Sequence, residues 1–194
     1  MRVYGFLRFT WLFVAILALS FASLRPADAA FPRIDARVKA ALEELFKAQP
    51  QARDFADRAA GILVIPGYAR GGLIIGGGYG EGALLQNRRI VDYYKVRSGS
   101  IGLQLGYQER DQFIMFMTPE ALASFREGKD WEFSADASFA VIDTGMGGKI
   151  HAADFSQPII VFVNDARGLM GSLALGADQY IKMEPTAAAT PSQQ

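Results

Sequence analysis

Residues 71–84 read GGLIIGGGYGEGAL, seven glycines in fourteen positions, with Gly76, Gly78, Gly80 and Gly82 at every second place. Two architectures tolerate such a run. One is a loop whose backbone amides cradle a phosphate; the other is a strand with one bare face that another element can approach closely. A Walker A loop needs Gly-Lys-Ser/Thr, because its lysine reaches the terminal phosphates. The Gly-Lys pairs here, Gly128-Lys129 and Gly148-Lys149, precede Asp130 and Ile150. A dinucleotide loop is met only loosely, by Gly78-x-Gly80-x-x-Ala83, and it requires a helix to begin there. The next segment of the chain is ALLQNRRIVDYYKV, whose Val, Ile and Tyr content favours strand. The run therefore predicts a β-strand with a bare face, and no cofactor is expected.

The neighbouring periodicities extend this picture. Ile34, Val38, Ala41, Leu42, Leu45 and Phe46 recur at spacings of three and four, one face of an amphipathic helix that Pro50 ends. A short helical piece over about residues 52–60 leads into the apolar run GILVI and Pro66. Beyond it, LIIGGGYGEGALL, RIVDYYKV, SIGLQLGYQE and QFIMFM read as consecutive antiparallel strands, with NRR, RSG and ERD as the turns between them. Thr118, Pro119 and Glu120 open a helix on Ala121, Leu122 and Phe125, and Gly128 stops it. WEFSADASFAVI, KIHAADF and PIIVFVND resume as strands, Asn164–Gly168 reads as a turn, and LMGSLALGADQYIKM is extended. The predicted fold class is α+β: a predominantly antiparallel sheet, with barrel-like closure open to it, an N-terminal amphipathic helix and one mid-chain helix.

The chain ends read differently. Arg2 and Arg8 precede an apolar run from Trp11 to Leu24, then Ala27-Asp28-Ala29. That is the pattern of a secretory leader, with cleavage expected after Ala29. The expected destination is periplasmic or secreted, peripheral to a membrane. The apolar run is shorter than the roughly 20 residues of a spanning helix. Residues 185–194 (PTAAATPSQQ) read as a disordered tail, which leaves 30–184 as one domain. Without cysteine there is neither a disulfide nor a lipoprotein acylation site. Removing Arg2, Arg8, Arg25 and Asp28 with the leader leaves 17 basic and 19 acidic residues, a net of −2. No global basic field for nucleic acid exists, so anion recognition must rest on a local patch.

Catalytic patterns are thin. The chain has no Gly-x-Ser-x-Gly elbow and one histidine, His151, which with Asp154 would still need further ligands to hold a metal. Asp136, Asp143, Asp154 and Asp165 lack calcium-loop spacing. Neither a catalytic residue nor a metal site is expected. Basic side chains are more informative. Arg33, Arg37 and Lys39 lie beside the apolar stripe of the first helix, which suits either a bilayer interface or docking on the domain's own sheet. Arg88 and Arg89 stand after Asn87 at a hairpin turn, where two guanidinium groups can grip a phosphate.

The stretch AAGILVIPGYARGGLIIGGGYGEGALL, residues 59–85, resembles the opening of the SYLF lipid-binding domain family, also known as an actin-binding module. The resemblance continues through YYKVRSGSIGLQLGYQ, FIMFMTPEALASF, the region of Trp131 and DARGLMGSLALGADQYIKM. It implies phospholipid binding without catalysis. On that resemblance Arg70 holds the basic position before the glycine run, and the first helix corresponds to the membrane-contacting segment. Headgroup contact is accordingly expected from Arg70, Arg88, Arg89, Arg33, Arg37 and Lys39. For an exported chain the expected partners are anionic phospholipids of a membrane surface, with actin and nucleic acid not expected. The alternative is an envelope module that packs its glycine-faced strands on a partner or a second copy; an enzyme ranks third.

Overall fold

The computed structural model describes residues 31–72, 75–101, 106–128, 131–132, 139–143, 156–168 and 178–184. The expected leader and tail, the KIHAADF strand with His151, Asp136 and the first part of LMGSLALGADQYIKM lie outside them. Among the described residues, helix α1 (Pro32–Ala48) starts with Pro32 at its first turn and buries Ile34, Val38, Ala41 and Leu45, the predicted stripe. Asp35 in the first turn and Lys47 in the last complement the helix dipole. Helix α2 (Ala52–Arg58) comes directly after and buries Ala52 and Phe55.

Among the described residues, eight strands form one sheet: β1 (Gly61–Gly72), β2 (Ile75–Gln86), β3 (Arg89–Ile101), β4 (Gly106–Phe116), β5 (Trp131–Glu132), β6 (Phe139–Asp143), β7 (Ile159–Gly168) and β8 (Asp178–Met183). Their order is β5-β8-β3-β2-β1-β4-β7-β6, antiparallel throughout except for the β6–β7 pair. β4 returns to lie beside β1, which gives the first four strands Greek-key order. The α+β expectation holds. The sheet rolls strongly without closing. Gln112 on β4 donates to the Tyr180 hydroxyl on β8 at 2.9 Å, although four strand spacings separate them, about 19 Å in a flat sheet. β5 and β6 stand at opposite ends of the strand order, so the barrel-like closure is not made among the described residues.

Each face of the rolled sheet carries a core. On the outer face α1 and α2 pack over Val64, Ala83, Phe113, Ile160 and Phe162, with Phe55 edge-on to Phe162 at 5.6 Å. On the inner face Leu63, Ile65, Leu84, Val96, Ile114 and Val161 meet helix α3 (Pro119–Glu127). α3 is capped as its sequence foretells: Thr118 accepts from the Ala121 amide at 3.2 Å, and Gly128 stands just past the last turn. Its Phe125 stacks on Phe116 and tilts against Tyr94, each at 4.8 Å.

Of the expected turns, NRR is the β2–β3 turn, with Asn87 and Arg88 at positive φ. The other three need correction. RSG lies inside β3, and ERD lies inside β4. Asn164–Gly168 is the end of β7, where a register irregularity between Glu109 and Asp111 on β4 takes up the turn-forming residues. A further bulge at Pro66–Gly67 lets β1 run through a proline. The Gly67 amide donates to Asp111 Oδ1 at 2.7 Å, Arg37 donates to the Pro66 carbonyl at 2.5 Å, and Gly67 sits at φ +62°. The extra residue shifts the alternation of β1, so Tyr68 joins Leu63 and Ile65 in the inner core.

Candidate functional site

The bare face predicted for β2 is real, and it is filled from within. A Cβ at Gly78 would meet Ser98, Tyr68 and Arg70; one at Gly80 would meet Ile65 and Tyr68; one at Gly82 would overlap the Val64 carbonyl. The glycines thus make room for β1's own side chains.

Tyr68 and Arg70 reach this space because of the bulge, and they meet a polar set on the neighbouring strands. Gln108, Arg110 and Gln112 alternate along β4, Ser98 stands on β3, and Asp178 and Tyr180 lead β8. The group is buried: Arg110 is 1% exposed, Arg70 6%, and Gln112 and Asp178 0%. Tyr68 donates to Asp178 Oδ1 at 2.6 Å, and its oxygen lies 2.8 Å from Ser98 Oγ. The Arg110 guanidinium lies over the Tyr68 ring, 5.4 Å from the centroid. Its Nε, Nη1 and Nη2 have no hydrogen-bond partner, and the same is true of Gln108 Oε1, Gln112 Oε1 and Asp178 Oδ2. Burial draws Arg110 below the ordinary range of a guanidinium and pushes the Asp178 carboxyl up. The nearby positive charges of Arg70 and Arg110 oppose that rise only in part. Leaving such groups unsatisfied costs about 1–3 kcal/mol apiece, more for a charge, which marks the cluster as something other than plain core.

At this end of the sheet an open groove of about 470 Å³ is lined by Ala69, Arg70, Gly71, Gly77, Gly78, Tyr79, Arg97, Ser98 and Tyr107. Tyr79 and Tyr107 are half exposed beside it. Arg70, Gly78 and Ser98 belong to both groove and cluster.

The six residues expected at a headgroup do not converge. Arg33, Arg37 and Lys39 are exposed on α1, where Arg37 also holds the Pro66 carbonyl. Arg88 and Arg89 are exposed at the β2–β3 turn, with Arg88 paired to Asp57 on α2 at 2.7 Å. Arg70 is buried with the inner cluster. The apolar stripe of α1 is spent on the domain's own sheet, so docking describes that helix better than bilayer insertion. Sequence reasoning missed Tyr68, Gln108, Arg110, Gln112 and Asp178. Their signal was the alternation Gln108-x-Arg110-x-Gln112-x-Ile114-x-Phe116, which carries polar residues onto the same face as core ones.

Residues 97–186, from within β3 to just past β8, match the family model described as Ysc84, Las17-binding protein actin regulator, which is the SYLF domain. Over that stretch the chain is similar to the SYLF family. That family is associated with lipid and actin binding. No curated protein matches this chain. The matched stretch holds Arg97, Ser98, the polar face of β4 and β8; α1, Arg70 and the glycine-rich strand precede it.

Proposed function

We propose that this chain is an exported SYLF-like domain that performs no chemistry of its own and binds anionic phospholipid surfaces by charge. The carrying observation is the division of labour on α1. Its apolar residues are committed inward while Arg33, Arg37 and Lys39 stand exposed on its first half. Such a helix meets a membrane as a charged ridge. Arg88 and Arg89 add a second basic point at the hairpin. The Arg88–Asp57 pair is surface-exposed and holds the guanidinium weakly, so a headgroup phosphate can compete for it. Each basic residue near an anionic surface contributes about 1 kcal/mol. The leader sequence supports export, and in that compartment lipid rather than actin is the available partner.

Co-sedimentation of the full mature chain with phosphatidylglycerol and phosphatidylcholine vesicles, over a range of salt, tests this reading. Preferential binding to the anionic vesicles, weakening with salt, is expected. Equal recovery on both vesicle types at low salt rejects it. A second reading, self-association in the envelope, is favoured by the exposure of Tyr79 (49%) and Tyr107 (56%) beside one groove. Mass in solution at several protein concentrations, without lipid, tests that reading. A stable oligomer that ignores vesicles supports it, and a monomer at all concentrations excludes it.

A further inference from the structure

We propose that the groove is a binding site for a neutral, β-linked glycan chain, held on the rings of Tyr79 and Tyr107. The two tyrosines are 49% and 56% exposed, and each heads a Tyr-x-Glu step. Tyr107 donates to Glu109 at 3.1 Å on β4, and Tyr79 donates to Glu81 on β2. Each ring is thereby laid along its own strand in one orientation, so its exposed face needs little further ordering to bind. β1 runs between them: Tyr79 stands opposite Ala69, and Tyr107 opposite Gly71. The two positions are therefore about 10 Å apart across the sheet and about 7 Å apart along it. Gly71 and Gly77 are partners in the floor between, and Gly99 continues the bare row on β3. Packing does not demand that floor at β2. Added Cβ atoms at Gly78, Gly80 and Gly82 would collide with β1, whereas one at Gly77 would meet only the Ser98 carbonyl, at 3.4 Å.

The surroundings select the occupant. A peptide strand adds to a sheet through unpaired backbone, but Ala69, Gly71 and Gly77 are each paired on both sides. An acyl chain needs enclosure, and this trough is open. The charged groups nearby answer one another. Glu81 stands opposite Lys95, and Glu109 lies with Arg37 beside Gly67. Arg70 is committed to the inner cluster with Asp178. Arg97, across from Tyr79, is exposed, and one solvated guanidinium holds an anion weakly. The trough therefore offers two aromatic faces among hydrogen-bonding groups: phenol oxygens, carboxylates and the Arg97 N–H groups. A pyranose with equatorial hydroxyls matches both. Its axial C–H bonds pack on the electron-rich face of a ring, while its rim of hydroxyls donates to the carboxylates and accepts from Arg97. A β-linked chain of such rings is flat and extended, which suits a straight trough walled on two sides. An α-linked chain curls away from it. The site is separate from the charged ridge of α1 and does not depend on that helix touching a membrane.

The test is isothermal titration of the full mature chain with cellotetraose, a β-linked glucan, and with its α-linked isomer maltotetraose. Wild type is expected to bind cellotetraose about tenfold tighter, the worth of one aromatic contact made or missed. Tyr107→Ala, at an exposed position, is expected to weaken cellotetraose binding about tenfold and to leave the fold intact. Gly77→Val puts a side chain on the trough floor and is expected to abolish binding, with a urea midpoint no lower than that of wild type. Circular dichroism checks that each variant folds; should Gly77→Val fail to fold, Tyr79→Ala takes its place, with the same loss expected as for Tyr107→Ala. No cellotetraose binding by wild type, equal binding of the two glucans, or binding unchanged in Tyr107→Ala overturns the proposal. So does a wild-type dimer that Tyr107→Ala dissolves while cellotetraose gives no heat, which assigns the face to a second copy. A parallel arm uses phosphatidylglycerol vesicles, whose binding is expected to be indifferent to Gly77→Val. Vesicle binding abolished by that variant would give the trough to lipid and overturn the proposal. Cellotetraose binding with no affinity for the vesicles would leave this site standing and remove only the membrane reading.

Discussion

Gly82 has no room for a side chain, because a Cβ there would overlap the Val64 carbonyl, part of the backbone of the adjacent strand. Gly99, on β3, has nothing within 4 Å of such an atom. The two glycines therefore separate packing from backbone entropy. Gly82→Ala is expected to cost about 3 kcal/mol through forced strand displacement. Gly99→Ala should be neutral or gain up to about 1 kcal/mol by restricting the unfolded chain. Urea unfolding midpoints of the two variants check this, and equal losses would mean that the alternate glycines act through flexibility. Spacing alone revealed that one face of β2 is bare. It did not reveal what fills that face, because two of the occupants, Tyr68 and Arg70, are placed by a bulge whose parity shift no period-2 pattern encodes. Arg70 read as a surface cation for the same reason. Arginine is almost never fully buried unless paired, and the partnering charge of Asp178 lies more than a hundred residues away in the chain.

Elements with local signals were legible, and those shaped by tertiary pairing were not. α1 announces itself by its stripe, and α3 by Thr118, Pro119 and Gly128 at its ends. The long strands defeated turn-based segmentation. Arg97-Ser98-Gly99 and Glu109-Arg110-Asp111 carry turn-like chemistry, yet pairing on both sides holds them extended. Their polarity serves the inner cluster and the bulge rather than a reversal of the chain. For α1 the prediction concerns charge alone. Arg33→Gln with Lys39→Gln leaves the buried stripe and the Arg37–Pro66 bond intact. Losing two basic contacts should weaken binding to anionic vesicles by about 2 kcal/mol, roughly 30-fold. The deficit should shrink as salt rises, and thermal stability should stay within about 0.5 kcal/mol of wild type. An unchanged vesicle affinity would remove α1 from the contact surface.

At the scale of the whole molecule, the rolled sheet carries a buried tyrosine on its inner face and a half-buried one on its outer face. Tyr94 packs on Phe125 in the inner core, and Tyr93 donates to Asp35 of α1 at 2.8 Å on the outer side. Burial, first of all, pushes each phenol up to about 12, helped by Asp92 for Tyr94 and by the Asp35 hydrogen bond for Tyr93. In the unfolded chain both ionise near 10. Their contribution to stability is therefore complete below pH 10 and is lost as pH climbs towards 12. Phenolate absorbance should show these two tyrosines titrating late, and the unfolding midpoint should fall across the same interval. Tyr93→Phe should flatten that fall, and a midpoint insensitive to pH between 10 and 12 would contradict the assignment. The bulge at Pro66–Gly67 has the widest reach of any local feature. It acts on β1 as a frameshift acts on a message: excise one residue, and everything from Tyr68 to the strand's end changes sides. Tyr68 and Arg70 would turn to the outer face, Ala69 and Gly71 would turn in, and Arg110 would lose the ring it lies over. A single-codon deletion would thus strip β1's share from this polar-hearted sheet and leave the buried groups of β4 and β8 behind.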